Sequence, residues 1–166
     1  MPIQDTQEFI IELQKQGELK RVKAEVDPDL EIAEILRREM YSNGPAILFE
    51  NVKGHTMPVL GNAFGSMKRL EIGLEMTDFT EIGQRITDMT KMDMPSGLLN
   101  KIKKLPELSK MTASFPKSES SGLVTEITST DASFDDLPII KSWPNDAGRF
   151  ITLGLIATKH PETGVR

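Results

Sequence analysis

The chain predicts an α+β protein: an N-terminal α/β domain with a small mixed sheet, then a β-rich tail. Three observations carry this. Capped amphipathic stretches alternate with strand-length apolar runs from Asp5 to Met89. A polar, basic stretch, Lys91–Pro116, follows them. The chain then reaches an almost unbroken apolar run, Phe150–Thr158. Its length and β-branched content suit a strand buried on both faces.

In order along the chain, Asp5 is placed to cap a first helix, with Glu8 completing a capping box. Phe9, Ile10 and Leu13 fall on one face of it, and Gly17 ends it. Leu19–Val22 reads as a short strand. Asp27-Pro28 starts a second helix, the Asp as N-cap and the Pro at its favoured first position. Ile32, Ile35, Leu36 and Met40 form its buried stripe, and Gly44 terminates it. Pro45–Phe49 and Met57–Leu60 read as strands close enough to pair as a hairpin across Asn51–His55. Ser66 caps a helix over Met67–Met76, which Gly73 weakens. Asp78 and Glu81 start another, in which Phe79, Ile82, Ile86 and Met89 recur at helical spacing. Lys91–Pro116 is read as a short helix and linker between domains, and Gly122–Thr128 as a strand. Ser129–Asp136 is a polar loop. Trp143–Gly148 is turn-rich, and Lys159–Gly164 reads as a hairpin turn punctuated by Pro161 and Gly164.

Composition narrows the function classes. Hydrophobic residues make up 38% of the chain, enough for a core and against global disorder. The net charge of −5 argues against a nucleic-acid surface. Zero cysteines excludes disulfides and thiolate metal sites. No apolar run approaches a membrane span, and the N-terminus is acidic and amphipathic rather than signal-like. The expected location is the cytoplasm.

Side-chain chemistry is sparse. The loop Gly61–Ser66 precedes a helix, as a phosphate cradle would. It lacks the Lys-Ser/Thr of a P-loop and the Gly-x-Gly-x-x-Gly of a dinucleotide fold, so a structural turn with a cap is the better reading. His55 and His160 sit in polar loops without metal-ligand spacing and read as surface histidines. Asp131, Asp135 and Asp136 do not follow a calcium-loop pattern and read as a solvated loop. Lys101, Lys103, Lys104 and Lys110 read as a solvated helix face. The many methionines read as core filler. No Ser/His/Asp order or nucleophile elbow is present. The residues alone therefore show no catalytic constellation and no metal site.

One set of segments is nevertheless specific. Trp143, Pro144, Asp146, Gly148, Arg149, Ile151 and Thr152, followed by Pro161-Glu162-Thr163-Gly164, resemble the UbiD-like carboxy-lyases. Ser142 stands where many of these proteins carry Cys. Val26–Ile35, Gly44–Gly54 and Met57–Asn62 resemble the N-terminal part of the same family, in the same order.

The resemblance implies non-oxidative decarboxylation of an aromatic or α,β-unsaturated carboxylic acid, for example a polyprenyl-hydroxybenzoate or anhydromevalonate phosphate. It implies prenylated FMN with manganese and potassium in the complete enzyme. It divides the chain into an N-terminal α/β domain, residues 1–112, and residues 113–166, the incomplete start of a flavin-binding split β-barrel. The family's catalytic residues and metal ligand match nothing up to Arg166, so the chain alone is expected to be inactive and to bind no cofactor tightly. Thr152 is the one position matched to the cofactor cleft. Arg149 lies in the preceding turn, where a structural contact to Asp146 and a ligand contact are both open. Expected partners are a C-terminal half, or a second copy meeting the apolar tail. The rival readings are a non-catalytic subunit of a separately encoded C-terminal half, and a small flavin-binding module.

Overall fold

The computed structural model describes residues 3–76, 78–90, 120–122 and 126–165. The expected linker over Lys91–Pro116, with its lysines, lies outside them. Two compact units are present: Met1–Thr77 with Ala132–Arg166, and Asp78–Asp131.

The first unit is built on a three-stranded mixed sheet. Strand β1 (Leu19–Val22) lies parallel to β2 (Ala46–Phe49), and β2 lies antiparallel to β3 (Val59–Gly61). The order is β1-β2-β3. Parallel neighbours need a crossover, which helix α2 (Glu31–Tyr41) supplies. The β2–β3 pair is the direct hairpin-like pair expected from the sequence, with Ile47 opposite Gly61 and Phe49 opposite Val59.

All four residues of β2 are buried, because both faces of the sheet are covered. On one face Ile47 and Phe49 pack with Ile32 of α2 and with Val26 and Val52. On the other, Ala46 packs with Phe9 and Leu13 of helix α1 (Thr6–Lys15), against Ile72 of helix α3 (Met67–Leu74). Gly61 lets α2 approach β3, since a Cβ there would collide with the Leu36 side chain. Gly73 similarly leaves room for Phe64 and Phe9, whose rings stack with centroids 5.4 Å apart. The glycine that weakens α3 by propensity therefore serves its packing.

Caps behave largely as the sequence predicts. Asp5 Oδ1 accepts from the Glu8 N–H at 2.8 Å. The Glu8 carboxylate accepts from the Gln4 N–H, one residue before the expected capping-box partner. Ser66 accepts from the Arg69 N–H. In the second unit, helix α4 (Thr80–Thr90) starts at Asp78, which accepts from both the N–H and the hydroxyl of Thr80. Its Ile82 is half-buried, whereas Ile86, expected on the buried face, is 57% exposed.

The start of α2 departs from expectation. Asp27 is not its N-cap, and Pro28 is not its first residue: the helix begins at Glu31, after Leu30 at φ 70°. Asp27 instead accepts from the Asp29 N–H at 2.9 Å, and Glu31 accepts from the Asp27 N–H at 2.7 Å. The reason is tertiary, because Pro28 and Leu30 bond to Lys141. Met40, expected in the buried stripe, is 54% exposed.

The tail also differs. Phe150–Thr158 forms no strand, and its large apolar side chains face outward, Leu155 fully. Of the strand expected over 122–128, residues 126–128 form a bend with Ile127 exposed, and 123–125 lie outside the described residues. A strand is held by a ladder of backbone bonds to its neighbours; Phe150 N–H donates to Ile140 O, and among the described residues no ladder extends from it along Phe150–Thr158. The turn after them does form: His160 N–H donates to Val165 O at 2.8 Å, and Gly164 N–H to His160 O at 2.9 Å.

Candidate functional site

The segment that carries Thr152 is a strap running from Leu137 to Thr152. It begins after a short 3-10 turn, Phe134–Asp136. There Ser133 Oγ accepts from Asp135 N–H at 3.1 Å, and Asp136 Oδ2 accepts from Ser133 N–H at 2.8 Å. These aspartates shape a turn, and no group of three metal-ligating side chains occurs among the described residues. His55 is half-buried rather than a plain surface residue, with Nδ1 3.4 Å from the Asp136 carbonyl oxygen.

Two backbone bonds then fasten the strap to the sheet unit. Lys141 N–H donates to Pro28 O at 3.0 Å, and Leu30 N–H to Lys141 O at 3.1 Å. Ile140 packs against the core cluster around Phe49. The chain turns at Trp143–Asp146, where Asp146 Oδ2 accepts from Trp143 N–H at 3.0 Å. It then folds back: Arg149 Nη1 donates to Ile139 O at 3.0 Å and Phe150 N–H to Ile140 O at 3.2 Å. Arg149 is thus held by a carbonyl rather than by Asp146. The Trp-Pro-x-Asp-x-Gly-Arg pattern closes a loop whose two ends meet at Ile139–Ile140 and Arg149–Phe150.

Thr152 follows two residues later, exposed and in a turn rather than on a strand. Its hydroxyl has no protein hydrogen-bond partner among the described residues. Asp27, below the strap, is held under the usual carboxylate range by Lys53, whose Nζ lies 2.8 Å away, then by the Asp29 N–H. Lys53 is raised in return by Asp27.

Between α2 and the strap lies an open cleft of about 510 Å³, lined chiefly by Leu30, Ala33, Leu36, Met40, Ile140 and Trp143. Trp143 is 64% exposed. Thr152 does not line the cleft. Sequence reasoning missed it because its two walls come from opposite ends of the chain. The Leu30–Ala33–Leu36–Met40 spacing was legible only as a helical stripe, and Trp143 only as part of a motif. The Gly61–Ser66 loop is structural, as expected: Asn62 Nδ2 donates to the carbonyls of Gly44 and Pro45.

Residues 10–86 match the 3-octaprenyl-4-hydroxybenzoate carboxy-lyase N-terminal domain, and residues 116–166 match the Rift-related domain of the same enzymes. The chain belongs to the UbiD family. Among its relatives, an uncharacterized protein of Aquifex aeolicus is 44% identical over 165 residues, which is 98% of this chain and 34% of that protein. One of Archaeoglobus fulgidus is 40% identical over 164 residues, 99% of this chain and 34% of that protein. The chain therefore spans about a third of the length of these relatives. An evolved dimeric form of the UbiD-class enzyme HmfF from Pelotomaculum thermopropionicum, solved with prFMN, aligns with a TM-score of 0.63 at 25% identity. That alignment covers 96% of this UbiD-family chain and 33% of HmfF. No helix among the described residues is long and apolar enough to cross a membrane.

Proposed function

We propose that this chain is the N-terminal portion of a decarboxylase that acts non-oxidatively on an aromatic or α,β-unsaturated carboxylic acid with prenylated FMN. The observation that carries this is the match of both family domains in chain order, residues 10–86 and 116–166. The prFMN-bound HmfF structure, similar over 96% of the chain, supports the cofactor. In this reading the domain boundary lies at residues 112/113, within the stretch between the two matched ranges, and residues 113–166 enter a flavin-binding split barrel.

The residues present suit one edge of such a site. Thr152 offers an exposed hydroxyl free to bond a flavin atom. Arg149 is engaged by the Ile139 carbonyl and serves to position the turn before Thr152. When bound, the cofactor supplies an electron sink for the pair left as CO2 departs. The strap's part is positioning: its two bonds to Pro28 and Leu30 fix where the Arg149–Thr152 segment leaves the sheet unit. Manganese and potassium belong to the complete enzyme in this reading.

One neutral hydrogen bond contributes about 0.5–1.5 kcal/mol, too little to hold a dissociable flavin. The chain alone is therefore inactive, and the exposed Phe150–Thr158 run meets either a C-terminal half or a second copy. The test is to mix purified chain with prenylated FMN, manganese and potassium, and to measure retained flavin absorbance and CO2 release. Neither should exceed background until the C-terminal segment of a family member is added. Stoichiometric flavin retention by this chain alone would overturn the reading.

A further inference from the structure

The cleft between α2 and the strap is a second candidate site, independent of the flavin reading. We propose that it binds a small monocarboxylate with an apolar body. Its volume of about 510 Å³ falls within the range of small-molecule pockets. Two large apolar side chains, Met40 and Trp143, stand open on opposite walls. An exposed tryptophan over an aliphatic floor is suited to an apolar ligand body.

The charge on its rim selects the head group. Glu34 and Arg37 both line the cleft. The Glu34 carboxylate accepts from Arg37 Nε at 2.7 Å, Arg37 Nη2 at 2.9 Å and Arg38 Nε at 2.7 Å. One carboxylate thus sits between two guanidinium groups, Arg37 at the cleft and Arg38 just outside its lining, and the three groups together carry one positive charge in excess. These bonds, Arg37's first, lower the Glu34 pKa to about 2, so Glu34 is ionised at neutral pH and the net charge of the three groups is +1. Arg37 Nη1 and the Ser142 hydroxyl, also at the cleft, have no protein hydrogen-bond partner among the described residues. The Arg37 guanidinium lies 5.6 Å from the Tyr41 ring centroid, which restrains it. One ligand carboxylate balances the cluster, whereas a neutral ligand leaves it uncompensated and a cation adds repulsion.

The chain holds a single tryptophan, Trp143, so its emission reports the cleft directly. The probes are octanoate and octanol, each titrated below its aggregation range. Octanoate is expected to shift Trp143 emission saturably to shorter wavelength. Its half-saturation should lie about three- to fivefold below that of octanol, the size of an exposed ion pair. Arg37→Gln should raise the octanoate value to the octanol value and leave octanol unchanged. No saturable shift, equal half-saturation of both probes on the unaltered chain, or an unchanged preference in Arg37→Gln each overturns the proposal. So does a shift produced by raising protein concentration without a probe, which would show a second copy covering the cleft. None of these outcomes involves flavin, so the decarboxylase reading stands or falls separately.

Discussion

Leu30 donates its backbone N–H to the carbonyl of Lys141 while itself sitting at φ 70°. Its neighbour Glu31 donates to Asp29 O at 2.9 Å, so Leu30 is the centre of a γ-turn with positive φ. Such turns are rare and strained, and persist where surrounding contacts over-determine them. Here the Lys141 bridge supplies those contacts.

Lys141→Pro should therefore do more than a side-chain change. It removes the N–H that satisfies the buried Pro28 carbonyl, at an expected cost of about 1–3 kcal/mol. Lys141→Ala keeps both backbone bonds and should cost under about 0.5 kcal/mol. Thermal melts compare the two, and hydrogen exchange at the Leu30 amide should quicken only in the proline variant.

Arg69 is the only buried charged side chain among the described residues, and its Nη1 donates to Glu18 Oε2 at 2.9 Å. Lys68 Nζ meets the other Glu18 oxygen at 3.1 Å. Glu18→Gln leaves the Arg69 charge buried and only weakly compensated. We expect a loss of about 1–3 kcal/mol, below the full buried-pair figure because Glu18 is partly exposed. An unchanged melting temperature in Glu18→Gln would remove this pair from the account.

The same carboxylate gives a pH signature. Hydrogen bonding from Lys68, then from Arg69, lowers the folded-state pKa of Glu18 below its ordinary 4.5. A depressed folded pKa contributes stability that is present above the unfolded value and is lost as pH falls through the folded one. Acid titration of stability should therefore steepen below about pH 4.5, and Glu18→Gln should flatten part of that fall.

Gly61→Ala should push against Leu36 and cost about 1–3 kcal/mol by overpacking the α2–β3 contact. In a Leu36→Ala background the same step should cost under about 0.5 kcal/mol, because the colliding atoms are gone. A double-mutant cycle by urea denaturation measures the difference, and additive losses would contradict it.

Leu155 and Ile156 are the most exposed large apolar residues of the Phe150–Thr158 run, at 102% and 88%. If the run recruits a second copy, Leu155→Lys with Ile156→Glu should shift light scattering towards the monomer without lowering the melting temperature. Equal masses for both proteins would count against association through this run.

Much of this protein follows from local sequence. Asp5, Ser66 and Asp78 cap where side-chain oxygens stand next to helical periodicity. Strands β2 and β3 fall on short apolar runs, β1 on a segment with apolar ends and charged middle residues, and the Trp143–Thr152 and Gly44–Asn62 patterns name the family. These signals are local because capping bonds and helical or strand periods span only a few residues. Tertiary structure decided the rest. The start of α2 moved from Pro28 to Glu31 because Lys141, distant in the chain, holds Pro28 and Leu30. Met40 stays exposed because it borders a cleft whose other wall is the strap. Phe150–Thr158 carries the pattern of a buried strand, yet pattern alone supplies no neighbouring backbone, and a strand exists only where another chain segment accepts and donates its hydrogen bonds.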